Sequence, residues 1–405
     1  MTEDFDIVIA GGGMVRATLA LALARTGYRV AVLEARPPGA PDQPSYDERT
    51  TALSFGSRRI LEALDLWHGL AAHATPIREI HVSERGRFGV TRMSAAHEGV
   101  PALGYVVANR ALGAAWQSAL ADSAAEFITP ASVQGYRVGQ DGVMIDLDRE
   151  ARRETLRARL LVAADGSDSA VRRMAQIGVR ERDYRQTAVI ANVTPARDHG
   201  GVAYERFTEQ GPIAMLPLSG GRCALVWTMP SEQVDATLAL PDDDFLHSLQ
   251  ERFGWRLGRL VRTGRRAAYP LRLKRAERDT AARLVLVGNA SHTLHPVAGQ
   301  GFNLALRDVA VLADLLADAA RDNGDPGDNR LLDAYSQWRS HDLDTVQLYT
   351  DGLVRLFTNP WPPLAHLRAA GLAALDLCAP LRHVLARQRM GLAGRLPRLA
   401  RGRSL

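Results

Sequence analysis

The chain has 405 residues, of which 46% are hydrophobic and 23% charged, so it can bury a sizeable core in one large or two moderate domains. No run of 18 or more uncharged apolar residues occurs, which argues against a transmembrane helix, and the acidic start MTEDFDIVIAGG does not resemble a signal peptide. The net charge of +5 is almost all arginine, Lys274 being the only lysine; Cys223 and Cys378 stand far apart and without clustered histidines, so reduced thiols, no metal site and a cytoplasmic setting are expected.

Asp6 to Ala10 has a strand pattern and runs into Gly11-Gly12-Gly13-Met14-Val15-Arg16. A helix is expected over Ala17 to Arg25 with Gly27 as its stop, then a second strand from Arg29 to Leu33 that ends at Glu34. This is a βαβ unit with an acid about twenty positions after the glycines, as dinucleotide binding requires. Gly11 permits the tight turn, Gly13 lets backbone approach a pyrophosphate, and Glu34 accepts hydrogen bonds from an adenosine ribose. The third glycine of the fingerprint should fall at position 16, where the chain has Arg16. That side chain must swing out, push the helix away or reach the phosphates. The expectation adopted is that it crowds the site and weakens cofactor binding.

A Pro-rich loop from Arg36 to Ser45 precedes Asp47 to Leu53, in which Arg49 is either a surface charge or a phosphate or flavin contact. A helix follows, ending near Leu66-Trp67. Alternation from Ile77 to Met93 predicts strands of another layer. Val106 to Arg110 leads into a helix over Ala111 to Ala121, and Val138 to Leu147 reads as a strand. Leu160 to Ala164 is again an apolar strand, running into Asp165-Gly166 and a helix start. Ser167 or Asp168 can cap that helix, but a cap has no need of Asp165.

Residues 181–274 are rich in β-branched and aromatic types. Thr187–Val193, Val202–Phe207, Ile213–Leu218 and Cys223–Met229 are expected as strands of one antiparallel sheet. Its apolar face would carry Phe207, Met215, Leu216 and Trp227, either as plain core or partly lining a substrate pocket. A helical period appears only near Asp243 to Phe253, and Tyr269-Pro270-Leu271 is expected to return the chain to the first domain. Leu284 to Val287 is a buried strand ending at Gly288. Pro296, Gly299 and Gly301 mark a tight loop, and Leu304, Val309, Leu312, Leu315 and Leu316 continue as a helix. A strand, a Gly-rich loop and a helix N-terminus form a site for an anion or a ring edge. From Leu343 onward the chain is expected to be mostly helical. Its Arg-rich end from Arg382, with Leu385, Leu392, Leu396 and Leu399, is either a membrane-surface or partner-docking element or a solvated basic tail. Nucleic-acid binding is not expected, since no basic stripe is interleaved with aromatics.

Three stretches agree on one ligand: the 11–16 glycines with Glu34, Asp165-Gly166 with Ser169 and Arg172, and Gly288 through Asp308. Together they resemble the single-component flavin-dependent aromatic hydroxylases similar in fold to p-hydroxybenzoate hydroxylase. Asp47 to Leu53, His81 to Gly86, Ala188 to Val193, Glu205 to Thr208, Pro212 to Pro217, Phe253 to Gly258 and His295 to Asn303 narrow this to the ubiquinone-biosynthesis hydroxylases. The resemblance covers most of the chain. It implies an α/β fold: a Rossmann-like FAD-binding domain (1–72, 98–180 and 275–345), an inserted antiparallel-sheet substrate domain (73–97 and 181–274) and a helical C-terminal segment with a basic tail (346–405).

The resemblance also implies FAD as bound cofactor and NAD(P)H as transient co-substrate. Gly11, Gly13 and Glu34 would take the ADP half, and Arg49 and Arg110 would flank the pyrophosphate and ribityl chain. Asp165-Gly166 would serve both FAD and NAD(P)H. Gly288 and Asn289, the latter in place of a usual acid, would meet the ribityl chain. Pro296 to Asn303, including Gly299, Gln300 and Gly301, would border the isoalloxazine, and Ala305 replaces a common glycine. The implied reaction inserts one atom of dioxygen into the ring of a polyprenyl phenol, such as a 2-polyprenyl-6-methoxyphenol, through a flavin C4a-hydroperoxide. No strong acid or base is then needed, and His295, next to Pro296, is the titratable group expected nearest the reactive edge. Implied partners are other ubiquinone-biosynthesis enzymes and, through the Arg-rich end, the inner-membrane surface. The competing expectations are an NAD-linked dehydrogenase, a hydroxylase of another aromatic substrate, and a chain that Arg16 has deprived of FAD and that acts as a non-catalytic subunit.

Overall fold

The computed structural model describes residues 3–35, 49–150, 152–293, 300–358 and 361–405. Strand β1 (Glu3–Ala10), helix α1 (Met14–Leu23) and strand β2 (Val30–Leu33) form the expected βαβ unit, with Ile7 beside Val30 and Ala10 beside Leu33 in parallel register. Ile7, Val8, Ile9 and the whole of β2 are buried, because a parallel sheet covered on both faces demands apolar side chains pointing both ways. The strand Arg152–Ala163 runs parallel to the other side of β1, and Leu284–Leu286 runs parallel beside it in turn. Glu126–Ile128 extends the sheet beyond β2. The stretch expected as one strand over 138–147 is instead a hairpin, Ser132–Val138 and Val143–Arg149, with the Gly139 N–H donating to the Gly142 carbonyl at 2.8 Å. Two glycines three positions apart suit a tight turn, which the apolar residues on either side had masked.

One face of this sheet is covered by α1 and by the helix Gln300–Arg321, whose Leu306, Val309, Leu312 and Leu316 are fully buried. The second large sheet holds Glu79–Glu84, Val90–Ser94, Val179–Pro195, Val202–Thr208, Gly211–Leu218, Arg222–Pro230, Leu260–Thr263 and Ala267–Ala276. It is antiparallel except where Val202–Thr208 runs parallel to Glu79–Glu84, so residues 79–94 join a layer whose other strands lie a hundred positions away. Tyr269-Pro270-Leu271 belongs to this sheet, opposite Ala188, Thr187 and Gln186, and does not yet lead back to the first. The chain rejoins the parallel sheet at Thr280–Leu286.

Three helices follow: Asn329–Thr358, Pro362–Leu377 and Ala379–Arg389. The basic end does not fray as a solvated tail. Arg398 is bonded to Asp314 and lies 2.8 Å from Asp318, Arg389 pairs with Glu205 at 2.7 Å with both side chains buried, and Leu399 and Ala400 enter the main core. Acids on two earlier elements, the helix Gln300–Arg321 and the strand Val202–Thr208, accept these arginines, so the local run of like charge gave a misleading picture of its surroundings.

Candidate active site

The cofactor motifs converge because each follows the carboxyl end of a neighbouring parallel strand. Gly11 follows β1, Glu34 follows β2, Asp165-Gly166 follows Arg152–Ala163, and Gly288 follows Leu284–Leu286. The crevice beyond such strand ends is where open α/β sheets bind their ligands. The Gly11 N–H donates to Leu33, the Ala164 N–H to Ala10 and the Val287 N–H to Ala163, at 2.8–3.0 Å, which locks the three turns together. A Cβ on Gly11 would overlap the Ala164 carbonyl, so no other residue fits there. Gly13 has φ 93° and open space above it, and it caps α1 without any side-chain bond to the first-turn N–H groups. That is a cradle a diphosphate fills.

Asp165 uses one carboxylate oxygen to accept from the Val171 N–H at 3.1 Å, while its Oδ1 is buried without a partner among the described residues. Such an orphaned acceptor at the crevice fits a ligand hydroxyl. Arg172 is buried beneath it and donates to the Ala290 and Ser167 carbonyls at 2.7 and 2.8 Å, tying this loop to the Gly288 turn. Asn289 is exposed on that turn, and a Cβ on Gly288 (φ 61°) would press on Val15 and Ala305. The Gly288 N–H donates to Asp308 at 2.9 Å.

Asp308 anchors a charged cluster that sequence reasoning missed. His292 Nε2 lies 2.7 Å from its Oδ2, and Arg339 Nε lies 2.7 Å from its Oδ1, with all three side chains essentially inaccessible. Arg339 also meets Asp342 at 2.5 Å, and Arg307 meets Asp342 at 2.8 Å. Burial by itself would raise the Asp308 carboxyl, but His292, Arg339 and the Gly288 N–H hold it below the usual carboxylate range. A lone aspartate at helical spacing gives no sign of a partner thirty positions later.

Arg16 does not swing out to solvent. It stays buried and turns to Glu34, Nη1 lying 3.2 Å from Oε2, with both side chains only 11% exposed. Its guanidinium also lies over the Phe127 ring, and its Nε and Nη1 make no hydrogen bond among the described residues. Burial lowers its pKa, against the pull of Glu34. The acid expected to accept from the ribose is therefore already engaged by a cation.

Arg49 and the start of the helix bearing Arg110 (Asn109–Ala121) are adjacent, the Asn109 N–H donating to the Arg49 carbonyl at 2.8 Å. Arg110 is exposed, and the Arg49 guanidinium lies 5.1 Å from the centre of the Tyr269 ring, across the gap to the second sheet. Asn303 is a brace: its Oδ1 accepts from the Ser54 N–H at 2.7 Å and its Nδ2 donates to the Ala52 carbonyl at 2.8 Å. Gln300 opens its helix, and a Cβ on Gly301 would meet open space. His295, Pro296 and Gly299 lie outside the described residues. Among the described residues no three metal-ligating side chains converge.

The expected substrate face needs correcting. Register pairs Tyr204 with Met215 and Ile213 with Trp227, which puts Met215 and Trp227 on one face, whereas Phe207 and Leu216 are on the other. Met215 and Trp227 are 0% and 2% exposed and pack with Phe245 and Phe253 of the helix Asp242–Phe253, so they are core. Phe207 is 1% exposed and stacks on Phe357 at 3.8 Å, so it too is packed away. The face shared by Tyr269 and turned toward Arg49 carries the half-buried Ile190, Ala214, Leu216 and Val226. Alternation was legible in the sequence, but which alternate set meets the cofactor layer was not.

Residues 4–346 match the family described as FAD binding domain. The chain is 41% identical over 401 residues to the ubiquinone hydroxylase UbiL of Rhodospirillum rubrum, covering 98% of this chain and 92% of that one. It is 33% identical to the 3-demethoxyubiquinol 3-hydroxylase of Escherichia coli, covering 96% and 99%. Among solved structures, p-nitrophenol 4-monooxygenase PnpA from Pseudomonas putida superposes with a TM-score of 0.78 at 19% identity, covering 98% of this chain and all of the other. That last likeness shows a shared fold.

Proposed function

This chain belongs to the FAD-binding domain family, and on that premise we propose that it hydroxylates the aromatic ring of a polyprenylated phenol in ubiquinone biosynthesis. The observation that carries this reading is the meeting of two surfaces. Gly11, Gly13, Asp165 and Gly288 build the strand-end crevice, and the Arg49 guanidinium lies 5.1 Å from the Tyr269 ring, on the sheet face that also carries Ile190, Leu216 and Val226. Bound FAD, reduced by NAD(P)H, would supply the activation of dioxygen.

The chain's own residues bind, orient and exclude water. The Gly13 cradle and the free N–H groups of α1 hold the diphosphate, Asp165 Oδ1 accepts from a ligand hydroxyl, and Arg49 and Arg110 add positive charge beside the phosphates. Asp308 holds the Gly288 turn against the helix Gln300–Arg321. The half-buried Ile190, Ala214, Leu216 and Val226 offer contacts to an apolar ring and tail, and Glu205, which stands opposite Ala214, is taken up by Arg389, so the face suits a prenylated phenol and would keep water from the reacting centre. No acid or base is required of the described residues, and His295 with Pro296 remains our assignment for the loop facing the ring.

A second reading rests on the Arg16–Glu34 pair: a chain that cannot retain FAD and serves an assembly of ubiquinone-biosynthesis enzymes as a non-catalytic subunit. One experiment separates the two. The visible spectrum of the purified protein is recorded with and without added FAD, followed by oxygen uptake with NAD(P)H and a short-chain prenyl phenol. Flavin bands with ring hydroxylation support the first reading. A protein that binds no FAD at saturating concentration overturns it and leaves the second.

A further inference from the structure

The hairpin Pro362–Leu377 and Ala379–Arg389 is docked firmly by one face. Arg368 is buried against Glu84 at 2.6 Å, the Thr91 hydroxyl donates to the Leu372 carbonyl at 2.7 Å, and the Arg92 N–H donates to Asp376 at 2.7 Å. Among the described residues, its other face has nothing upon it. Leu367, Ala370, Ala374 and Leu377 recur at helical spacing and are all exposed, Leu377 by 85%, and Leu381 and Val384 continue the surface onto the next helix. Phe88, 74% exposed, stands beside it on a loop whose Gly89 abuts the Ala369 carbonyl. A ridge from two separate segments exceeds the scattered exposed apolar residues of an ordinary surface.

We propose that this ridge docks the protein onto an anionic lipid surface, the two helices lying in the plane of the interface. Charge selects this occupant. The only acid between residues 361 and 405 is Asp376, which is bonded to Arg92, while Arg87, Arg92, Arg382 and Arg387 border the ridge. Geometry selects the mode. Helices of 16 and 11 residues rise about 24 and 16 Å, short of the ~30 Å hydrocarbon core. They also bend by 95° at Cys378, so they lie flat rather than cross. The membrane contact expected of the basic end from Arg382 is thus confined to its first helix and shared with the helix before it, since Arg389 and Arg398 are spent on internal pairs. The inference deepens the proposed function, for a polyprenyl substrate resides in that same surface.

The test is co-sedimentation of the full chain with vesicles of phosphatidylethanolamine and phosphatidylglycerol, with purely phosphatidylcholine vesicles as the contrast. Leu377→Asp with Leu381→Asp should lower partitioning onto the anionic vesicles at least tenfold, with the melting temperature and turnover of a short-chain, water-soluble phenol unchanged. Partitioning that is absent in the parent chain, or undiminished in the variant, overturns the proposal. A parent dimer in sedimentation velocity that the double variant abolishes, without vesicle binding, also overturns it and assigns the ridge to a second copy. Turnover of the soluble phenol reports on the proposed reaction separately, so either idea can fail alone.

Discussion

Replacing Arg16 by glycine should tighten FAD binding. In the structure the guanidinium sits 3.2 Å from Glu34, both side chains are nearly buried, and Glu34 lies at the end of β2 where an adenosine ribose would meet it. For the ribose to bond to Glu34 the pair must open. Removing one member of a buried pair costs about 3–5 kcal/mol, but Arg16 regains part of this by turning to water or the diphosphate, leaving a penalty of about 1–3 kcal/mol. That corresponds to a dissociation constant about 5- to 150-fold lower for Arg16→Gly. The assay is flavin fluorescence quenching on titrating apoprotein with FAD, with FMN in parallel. FMN lacks the adenosine ribose, so its affinity should not change. Arg16→Met, of similar bulk but no charge, separates pairing from crowding. Apoprotein melting controls for the helix, since glycine costs up to about 1 kcal/mol in a helix interior. Equal FAD affinity in parent and glycine variant, or an FMN affinity that rises as much as that for FAD, would refute the reasoning.

Asp308→Asn should destabilise the fold by about 3–5 kcal/mol, because Arg339 and His292 lose their buried partner; an unchanged thermal melt would contradict this. The Asp308 carboxyl is depressed in the folded state, so its stabilisation is present above the unfolded carboxylate value and is lost as pH falls through the folded one. The asparagine variant should therefore show a shallower acid limb in melting temperature against pH. His81 is held down to about 4, chiefly by burial and then by Arg256 and Arg92, so its neutral form stabilises the fold in full above pH 6.5 and this is lost progressively between 6.5 and 4. His81→Gln should flatten that segment of the same profile. Leu216→Phe should change the KM for prenyl phenols, whereas Trp227→Phe should lower thermal stability and leave KM alone; the reverse outcome would return Trp227 to the pocket.

The sequence by itself determined the parallel layer and its ligand class. Gly11, Gly13, Glu34, Asp165, Gly166 and Gly288 each stand just past an apolar strand, and such strands have one way to bury both faces, side by side with their carboxyl ends together. Short-range chemistry of this kind survives in the local order of residues. What only the tertiary structure decided depends on partners remote in the chain. Met215 and Trp227 were placed with Phe207 from apolarity, but a one-residue difference in phase sends a side chain to the opposite face, and only the pairing of Val202–Thr208 with Gly211–Leu218 settles the phase. Arg382 onward read as either a docking element or a solvated run, yet Asp314 and Glu205 neutralise Arg398 and Arg389 from elements up to 184 positions away. Arg16 belongs to both accounts. Its mismatch with the fingerprint was visible in the sequence, while its choice of Glu34 follows from burial, where a cation without a nearby carboxylate is too costly to keep.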